Sequence, residues 1–236
     1  LGDVYKRQLP SCNQAFIGRK DEIKAIASHL SNQSVLFITG MAGIGKSEVA
    51  KAYAQKNRKK YTNIIYLYYT GNLRKDIANL TFADDSVEMN EEVRFQNHYK
   101  VMQRLHTDTL LILDNFNVLP KDELFLKELM KNDMQLLITS RCKLKNYDSI
   151  EIKELDKEKE LTELFYKHCP SAKRDSDSVS AIIEEVNCHT LTVCMAALTL
   201  EVSGMEPEEL LQKLRSCGIG QNTEEIEVFK DEEFSY

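Results

Sequence analysis

The sequence predicts an α/β fold in which a five-stranded parallel sheet is followed by a small helical domain. Over residues 14–155, short apolar runs alternate with segments of helical periodicity, as in sheets covered by helices on both faces. Over residues 156–215 the pattern indicates helices only. A third observation is that a glycine-rich stretch joins the first strand to a helix. We therefore predict two domains with a boundary near residue 155.

Each predicted strand is a short run of aliphatic, β-branched and aromatic residues bounded by polar residues. The last run alternates apolar and polar residues, which is typical of a half-buried strand. In chain order the strands are Val35–Thr39, 64–69, 109–113, 135–139 and 149–155.

Helical periodicity fills the intervals between these strands. Ile23, Ile26 and Leu30 predict an amphipathic helix before the first strand. Further helices are predicted over 46–59, over 76–106 with a polar break near 84–90, and over 121–130. In the helical domain they are predicted over 157–168, 178–186, 191–202 and 207–214.

Three of the nine glycines lie between positions 40 and 45, directly before Lys46 and Ser47. Gly40, Gly45, Lys46 and Ser47 fit the phosphate-binding motif G-x-x-x-x-G-K-[ST], placed between strand Val35–Thr39 and a helix as the motif requires. Backbone N–H groups of such a loop and the start of the helix attract phosphate. The lysine would contact the β- and γ-phosphates, and the serine hydroxyl would bind Mg²⁺. The sequence thus predicts a site for ATP or ADP with Mg²⁺. Its loop residues are Gly40, Met41, Ala42, Gly43, Ile44, Gly45, Lys46, Ser47 and Glu48.

Two further strand ends carry candidate site residues. Asp114 follows the run TLLIL and would hold Mg²⁺ through water, so Ser47 and Asp114 are the predicted metal residues. Arg141 follows LLITS, and ligands of open parallel sheets lie outside the carboxyl ends of the strands, where its guanidinium could reach the γ-phosphate. Lys46, Asp114 and Arg141 are therefore the candidate catalytic residues. Asn115 stands where hydrolytic relatives often carry a second acid; an amide is no general base, which favours slow hydrolysis or a nucleotide-held switch.

Four stretches, in this order, resemble the NB-ARC branch of the signal-transduction ATPases with numerous domains (STAND). They are FIGRKDEI at 16–23, GMAGIGKS at 40–47, LLILDN at 110–115 and LLITSR at 136–141. Residues 152–168 are similar to the start of the family's helical lid, and CHTLTVCMAAL at 188–198 is similar to its GLPLA-type motif, with Thr190 in place of proline. The resemblance covers about residues 14–215 and implies a P-loop NTPase sheet of strand order 5-1-4-3-2, followed by a helical lid.

The resemblance also implies a function: a switch that rests with ADP and is active, often as an oligomer, with ATP. Four residues of the first stretch would lie near the adenine and ribose, and two would begin the lid helix that closes over them. These residues are Phe16, Ile17, Gly18 and Arg19, and then Thr190 and Leu191. Effector and sensor regions, and the winged-helix domain whose histidine senses the diphosphate, are expected outside this sequence.

Composition excludes several classes of protein. The net charge of −6 argues against direct nucleic-acid binding by this segment. No apolar run approaches the ~18 residues of a membrane span, and no signal peptide is visible. Six scattered cysteines without a C-x-x-C pair favour reduced thiols and a cytoplasmic location. Zinc binding by His168-Cys169 and Cys188-His189 is the alternative, but adjacent ligands rarely suit a tetrahedral site.

Both ends of the sequence have an unusual character. Residues 1–8 contain DVYKRQ, which looks like the translation of a sequencing-library adapter; a short native strand is the alternative. Residues 216–236 contain an acidic linker and a possible strand, which we interpret as the start of a further domain. We therefore expect a piece of a longer protein.

Two other functions stay open at this point. An efficient P-loop ATPase would need a general base, which Asn115 is not and for which Asp133 is one candidate; a small-molecule kinase would need an acceptor pocket and a catalytic acid near the γ-phosphate. A non-catalytic interaction domain with a vestigial nucleotide site is the other alternative, although Lys46, Ser47 and Asp114 are all present.

Overall fold

The computed structural model describes residues 10–82, 85, 89–142, 144 and 146–217. The expectations for residues 1–8 and for 218–236 lie outside the described residues. The chain divides into two compact units. Among the described residues, the sheet unit comprises 10–14 and Arg19–Lys153, and the helical unit comprises Ala15–Gly18 and 154–217.

The sheet unit contains five parallel strands in the order β2-β3-β4-β1-β5. Read from the other edge, this is the predicted order 5-1-4-3-2, which is confirmed. The central strands β3 and β4 are buried at every residue, as expected of strands covered on both faces. The strands are β1 Val35–Thr39, β2 Asn63–Tyr68, β3 Thr109–Asp114, β4 Gln135–Ser140 and β5 Ser149–Glu151.

The strand β5 is shorter than the predicted 149–155 because it lies at the edge of the sheet and pairs only with Phe37, Ile38 and Thr39 of β1. The helices of the sheet unit are α1 Lys20–His29, α2 Lys46–Lys56, α3 Leu73–Ala78, α4 Glu91–Met102 and α5 Phe125–Leu129.

Local side-chain hydrogen bonds account for helix boundaries that differ from the predicted ones. The helix α2 ends before residue 59 because the Asn57 side chain donates to the carbonyl of Tyr53 at 2.9 Å. The region predicted as 76–106 contains two helices, α3 and α4, and the predicted break at 84–90 lies between them; their starts at residues 73 and 91 are set by Asn72 and Asn90, which each accept a bond from a backbone N–H three residues further on. The helix α5 starts late because Glu123 accepts from the N–H of Phe125 at 3.2 Å, which closes a turn before it.

The helical unit follows the sheet and has a core of its own. Ile17, Phe165, Ile182, Val193 and Ala197 are among its buried residues. The unit begins with a π-helical turn, Lys157–Leu161, and continues with α6 Thr162–His168, a 3₁₀ turn Pro170–Arg174, α7 Ser176–Glu185, α8 Thr190–Ser203 and α9 Pro207–Cys217. No helix in the described ranges has the length and apolarity needed to cross a membrane.

Candidate nucleotide site

The phosphate-loop motif lies between β1 and α2 and needs glycine for two separate reasons. Gly40 has φ +147°, and a Cβ there would stand 2.7 Å from the backbone oxygen of Ile152. Gly45 has φ +99° with open space around it, so only its backbone conformation excludes other residues. Gly43 is also left-handed, with φ 71°. The loop therefore has a compact backbone that few other residues would allow.

Lys46 folds back over this loop. Its Nζ donates to the carbonyl of Gly40 at 2.9 Å and to that of Met41 at 2.6 Å. Burial and, second, the nearby Arg141 lower the pKa of Lys46, while Asp114 acts in the opposite direction. The Lys46 ammonium is thus hydrogen-bonded to neutral carbonyls, near the other two candidate catalytic residues, Asp114 and Arg141. A phosphate oxygen would be a stronger acceptor for it.

Asp114 is buried at the carboxyl end of β3, with 3% of its surface exposed. Its Oδ1 accepts from the hydroxyls of Ser47 at 2.7 Å and Thr139 at 2.5 Å, and its Oδ2 accepts from the hydroxyl of Tyr66. Burial and, second, Asp114 raise the pKa of Tyr66, so that this phenol remains a donor at neutral pH. Three neutral donors thus surround one buried carboxylate.

This donor set suits Mg²⁺. The ion prefers oxygen ligands. The Ser47 oxygen can offer a lone pair to a cation while its O–H group still donates a hydrogen bond to Asp114. Within the described part of the chain, no lysine, arginine or histidine forms an ion pair with Asp114. The site therefore has the negative charge and the hydroxyl oxygen that a hydrated magnesium ion would need.

Asn115 shapes the turn after β3. It has φ 64°, which asparagine tolerates better than most residues. Its N–H donates to Thr139 Oγ1 at 2.9 Å, its side-chain N–H donates to the carbonyl of Tyr69 at 3.4 Å, and its Oδ1 accepts from Asn117 at 2.5 Å. Since the side chain is engaged in these local bonds, Asn115 has a structural role in the turn.

Arg141 lies just after β4, at the same carboxyl edge as Lys46 and Asp114. Its backbone N–H donates to Asn117 Oδ1 at 2.9 Å, which ties the ends of two neighbouring strands together. The residue is exposed, and its charge acts on Lys46. The structure therefore brings the three candidate catalytic residues to the carboxyl end of the parallel strands.

Two further predicted site residues, Arg19 and Glu48, lie beside the loop. Arg19 is 6% exposed, and its guanidinium donates to the carbonyl of Ile44 at 3.2 Å and to Glu22 at 3.0 Å. Glu48, in the first turn of α2, accepts from Lys51 at 2.9 Å and from the N–H of Asn13 at 2.7 Å. Arg19 thus holds the loop through Ile44, and Glu48 links the start of α2 to Asn13.

The other predicted residues lie in the helical unit. Ile17 is buried in the core of that unit, Phe16 is half-buried and Gly18 has φ 66°. Thr190 and Leu191 are the first two residues of α8. The Thr190 hydroxyl is buried and has no hydrogen-bond partner within the described ranges.

Sequence reasoning missed three side chains at this edge: Tyr66, Thr139 and Asn117. Thr139 and Asn117 could have been suspected, because each is polar and lies at or after the carboxyl end of a strand. Tyr66 gave no such signal, since it lies inside the apolar run IIYLYY and looks like an ordinary strand residue.

Two alternatives from the sequence lose support. Asp133 precedes β4 and lies 3.6 Å from His106, at the amino end of the strands and therefore at the edge opposite the loop. It is not placed to act as a general base there. No group of three His, Cys, Asp or Glu side chains in the described ranges could hold a metal ion, which argues against the zinc alternative.

The fold is similar to those of several solved ATPases. No family model matches the chain, and no curated protein matches it either. The Walker-type ATPase Paby2304 of Pyrococcus abyssi superposes with a TM-score of 0.62 at 12% identity, over 94% of this chain and 78% of that one. AMPPCP-bound DnaA from Aquifex aeolicus gives 0.58 at 17% identity, over 88% and 71%. A variant of RuvB from Thermotoga maritima gives 0.55 at 15% identity, over 85% and 70%. The chain thus has the P-loop NTPase fold.

Proposed function

We propose that this chain is the nucleotide-binding switch module of a multidomain signalling, regulatory or defence ATPase of the NB-ARC type. It would bind ADP or ATP with Mg²⁺ in the cytoplasm and hydrolyse ATP slowly. The observation that carries the proposal is the 2.7 Å hydrogen bond between Ser47 and Asp114, directly beside the loop that holds Lys46. This bond unites the hydroxyl and the carboxylate that a magnesium–nucleotide complex needs.

Each residue has a role in this proposal. The N–H groups of the loop and the start of α2 would bind the phosphates, and Lys46 would leave the carbonyls of Gly40 and Met41 for the β- and γ-phosphates. Ser47 and Asp114 would hold Mg²⁺, and Arg141 would contact the γ-phosphate. The AMPPCP bound to the structurally similar DnaA supports a nucleotide as the ligand.

The finer assignment to a switch rests on the NB-ARC-like motifs and on the helical unit that follows the sheet. By that likeness Phe16, Ile17, Gly18 and Arg19 would lie near the adenine and ribose, and Thr190 and Leu191 would belong to the lid. The five described cysteines are all free thiols, which supports a reducing compartment. Self-association and the effector and sensor regions would belong to the intact protein.

Slow hydrolysis is proposed because Asn115 cannot accept a proton and is engaged in the turn after β3. Steady-state turnover should then be well below the ~10 s⁻¹ that is typical of enzymes. A phosphate-release assay that gave many turnovers per second would instead favour the efficient ATPase.

Nucleotide retention tests the binding site itself. Purified wild-type chain should retain ADP through gel filtration, whereas Lys46→Ala should lose it, because the ammonium that neutralises the phosphates is gone. Lys59→Ala is the matched control, since Lys59 is exposed in the turn after α2. Equal retention by all three proteins would contradict the proposal, and no retention by the wild type would favour a vestigial site.

A further inference from the structure

Oδ2 of Asp114 accepts a hydrogen bond from Tyr66, a residue outside the phosphate-loop motif. We propose that Tyr66 is a positioning residue for magnesium: its hydroxyl fixes the orientation of the Asp114 carboxylate, and thereby sets how strongly Mg²⁺ supports nucleotide binding. The inference rests on the proposed function, because it assigns a further residue to the same site.

The geometry of the sheet makes this contact specific to Tyr66. Strands β2 and β3 are parallel, with Tyr68 paired with Asp114 and Tyr66 paired with Ile112. Tyr68 is therefore the direct neighbour of the carboxylate, yet 54% of its surface is exposed. Tyr66, two residues earlier on the same face, donates to Oδ2 of Asp114. The contact thus depends on the length and direction of one side chain.

The ring of Tyr66 is held in place independently of its hydroxyl. The Nζ of Lys51, on α2, lies 5.8 Å from the centre of the ring, and Lys51 is fixed by Glu48 at 2.9 Å. Tyr66 is half-buried. Removing only the phenolic oxygen should therefore leave the ring, and the packing of α2 over β2, where they are.

The chemistry explains why this bond affects the metal. The torsion χ2 of an aspartate has a broad energy minimum, so hydrogen bonds decide the orientation of the carboxylate, and Ser47 and Thr139 both hold its Oδ1. The third donor, Tyr66, holds Oδ2, so that hydrogen bonds fix both oxygens of the group. A partner that orients a metal-binding carboxylate typically changes metal affinity by about 10–100-fold.

The test is a Mg²⁺ titration of the complex between the full chain and a fluorescent ADP analogue, which the absence of tryptophan makes favourable. Tyr66→Phe should need about 10-fold more Mg²⁺ than the wild type to reach half of the metal-dependent gain in affinity. Affinity measured in EDTA should be unchanged, because the hydrogen bond of Tyr66 goes to Asp114 and none joins it to residues 40–47 in the described ranges. Tyr68→Phe is the matched control and should titrate like the wild type.

A second pair of variants tests whether Tyr66 acts through the carboxylate. In an Asp114→Asn background, Tyr66→Phe should produce no further change in the Mg²⁺ dependence. A further shift there, a wild-type midpoint in Tyr66→Phe, or an equal shift in Tyr68→Phe would overturn the inference. An equal loss of affinity in EDTA and in Mg²⁺, or loss of the folded state in thermal unfolding, would assign the hydroxyl to stability and overturn it too. If the wild type bound no nucleotide in either buffer, the proposed function itself would fail.

Discussion

The two ends of the parallel sheet both bury polar side chains, but they use them differently. At the amino end, the hydroxyls of Tyr53 and Tyr61 lie 2.6 Å apart, and Tyr61 donates to Gln135 Oε1 at 2.6 Å. The Gln135 amide in turn donates to the carbonyl of Leu30. The buried groups of this network are neutral and hydrogen-bond to one another, and the exposed Lys60 donates to Gln135 Oε1 at 3.5 Å.

At the carboxyl end two of the polar groups carry charge: Asp114 is buried and Lys46 is half-buried. Lys46 is bonded to the carbonyls of Gly40 and Met41, and Asp114 is bonded to hydroxyls. Neither charge is compensated by a direct ion pair within the described part of the chain. Burying a charge without an opposite partner is unfavourable, and the proposed nucleotide and Mg²⁺ would supply such partners at this end. The comparison teaches that a binding site is marked by uncompensated charge rather than by burial of polar groups alone.

The largest expected effect is that of Gly40→Ala at the carboxyl end. The new Cβ would stand 2.7 Å from the backbone oxygen of Ile152, at a residue with φ +147°. Backbone strain of ~1–3 kcal/mol then adds to a clash with main chain that cannot move freely. Thermal unfolding should show a clearly lower Tm, and a titration with ADP should show more than tenfold weaker binding.

The matched control for that substitution is Gly71→Ala. Gly71 has φ +113° but open space where its Cβ would lie, so it tests strain without the clash. It should lower the Tm by less than Gly40→Ala does and leave ADP binding intact. Equal effects of the two substitutions on binding would remove the special role that the comparison gives to the loop.

A smaller effect is expected from Tyr61→Phe at the amino end. The change removes a buried hydroxyl and leaves the Tyr53 hydroxyl without its partner, which costs ~1–3 kcal/mol, while Gln135 Oε1 keeps the bond from Lys60 at 3.5 Å. Urea denaturation should report this loss of stability. ADP affinity should not change, since the network is at the amino end of the strands and the loop is at the carboxyl end. Weaker ADP binding by Tyr61→Phe would contradict the difference between the two ends.

The fold could be predicted from the sequence because its signals are local. The five apolar runs became the five strands, and the motif around Lys46 indicated which end of the sheet would carry the loop. The predicted helix boundaries were wrong where a single side chain determines where the helix starts or ends. Asn57 ended α2 early and Glu123 delayed α5, and neither effect has a periodic pattern.

The candidate site was predictable only in part, because its partners come together through the sheet. Lys46, Ser47 and Asp114 have recognisable neighbours in sequence, whereas Tyr66 is 48 positions from Asp114. Arg19 was expected at the base and sugar, and the structure gives it a bond to the carbonyl of Ile44 at 3.2 Å. Contacts of this kind depend on strand register, which one sequence does not specify residue by residue.

The smallest expected effect concerns Cys12, beside the first turn of α2. Burial, with the charge of Glu48 second, raises the pKa of Cys12 to about 11. The thiolate is the reactive form, so alkylation by iodoacetamide should keep rising with pH up to about 11, whereas an ordinary thiol levels off above its pKa of ~8.5. Peptide mass spectrometry can follow this rate at Cys12. Glu48→Gln should shift the profile to lower pH; an unchanged profile would show that the carboxylate has no influence there.

Hydrogen exchange measured with and without ADP and Mg²⁺ tests the central claim most directly, because it reports both ends of the sheet in one experiment. The account predicts that the amides of residues 40–47 become strongly protected when nucleotide is added, while those around Tyr61 and Gln135 keep their rates. Unchanged exchange at 40–47, or protection concentrated at the amino end, would contradict a phosphate site built around Lys46 and Asp114.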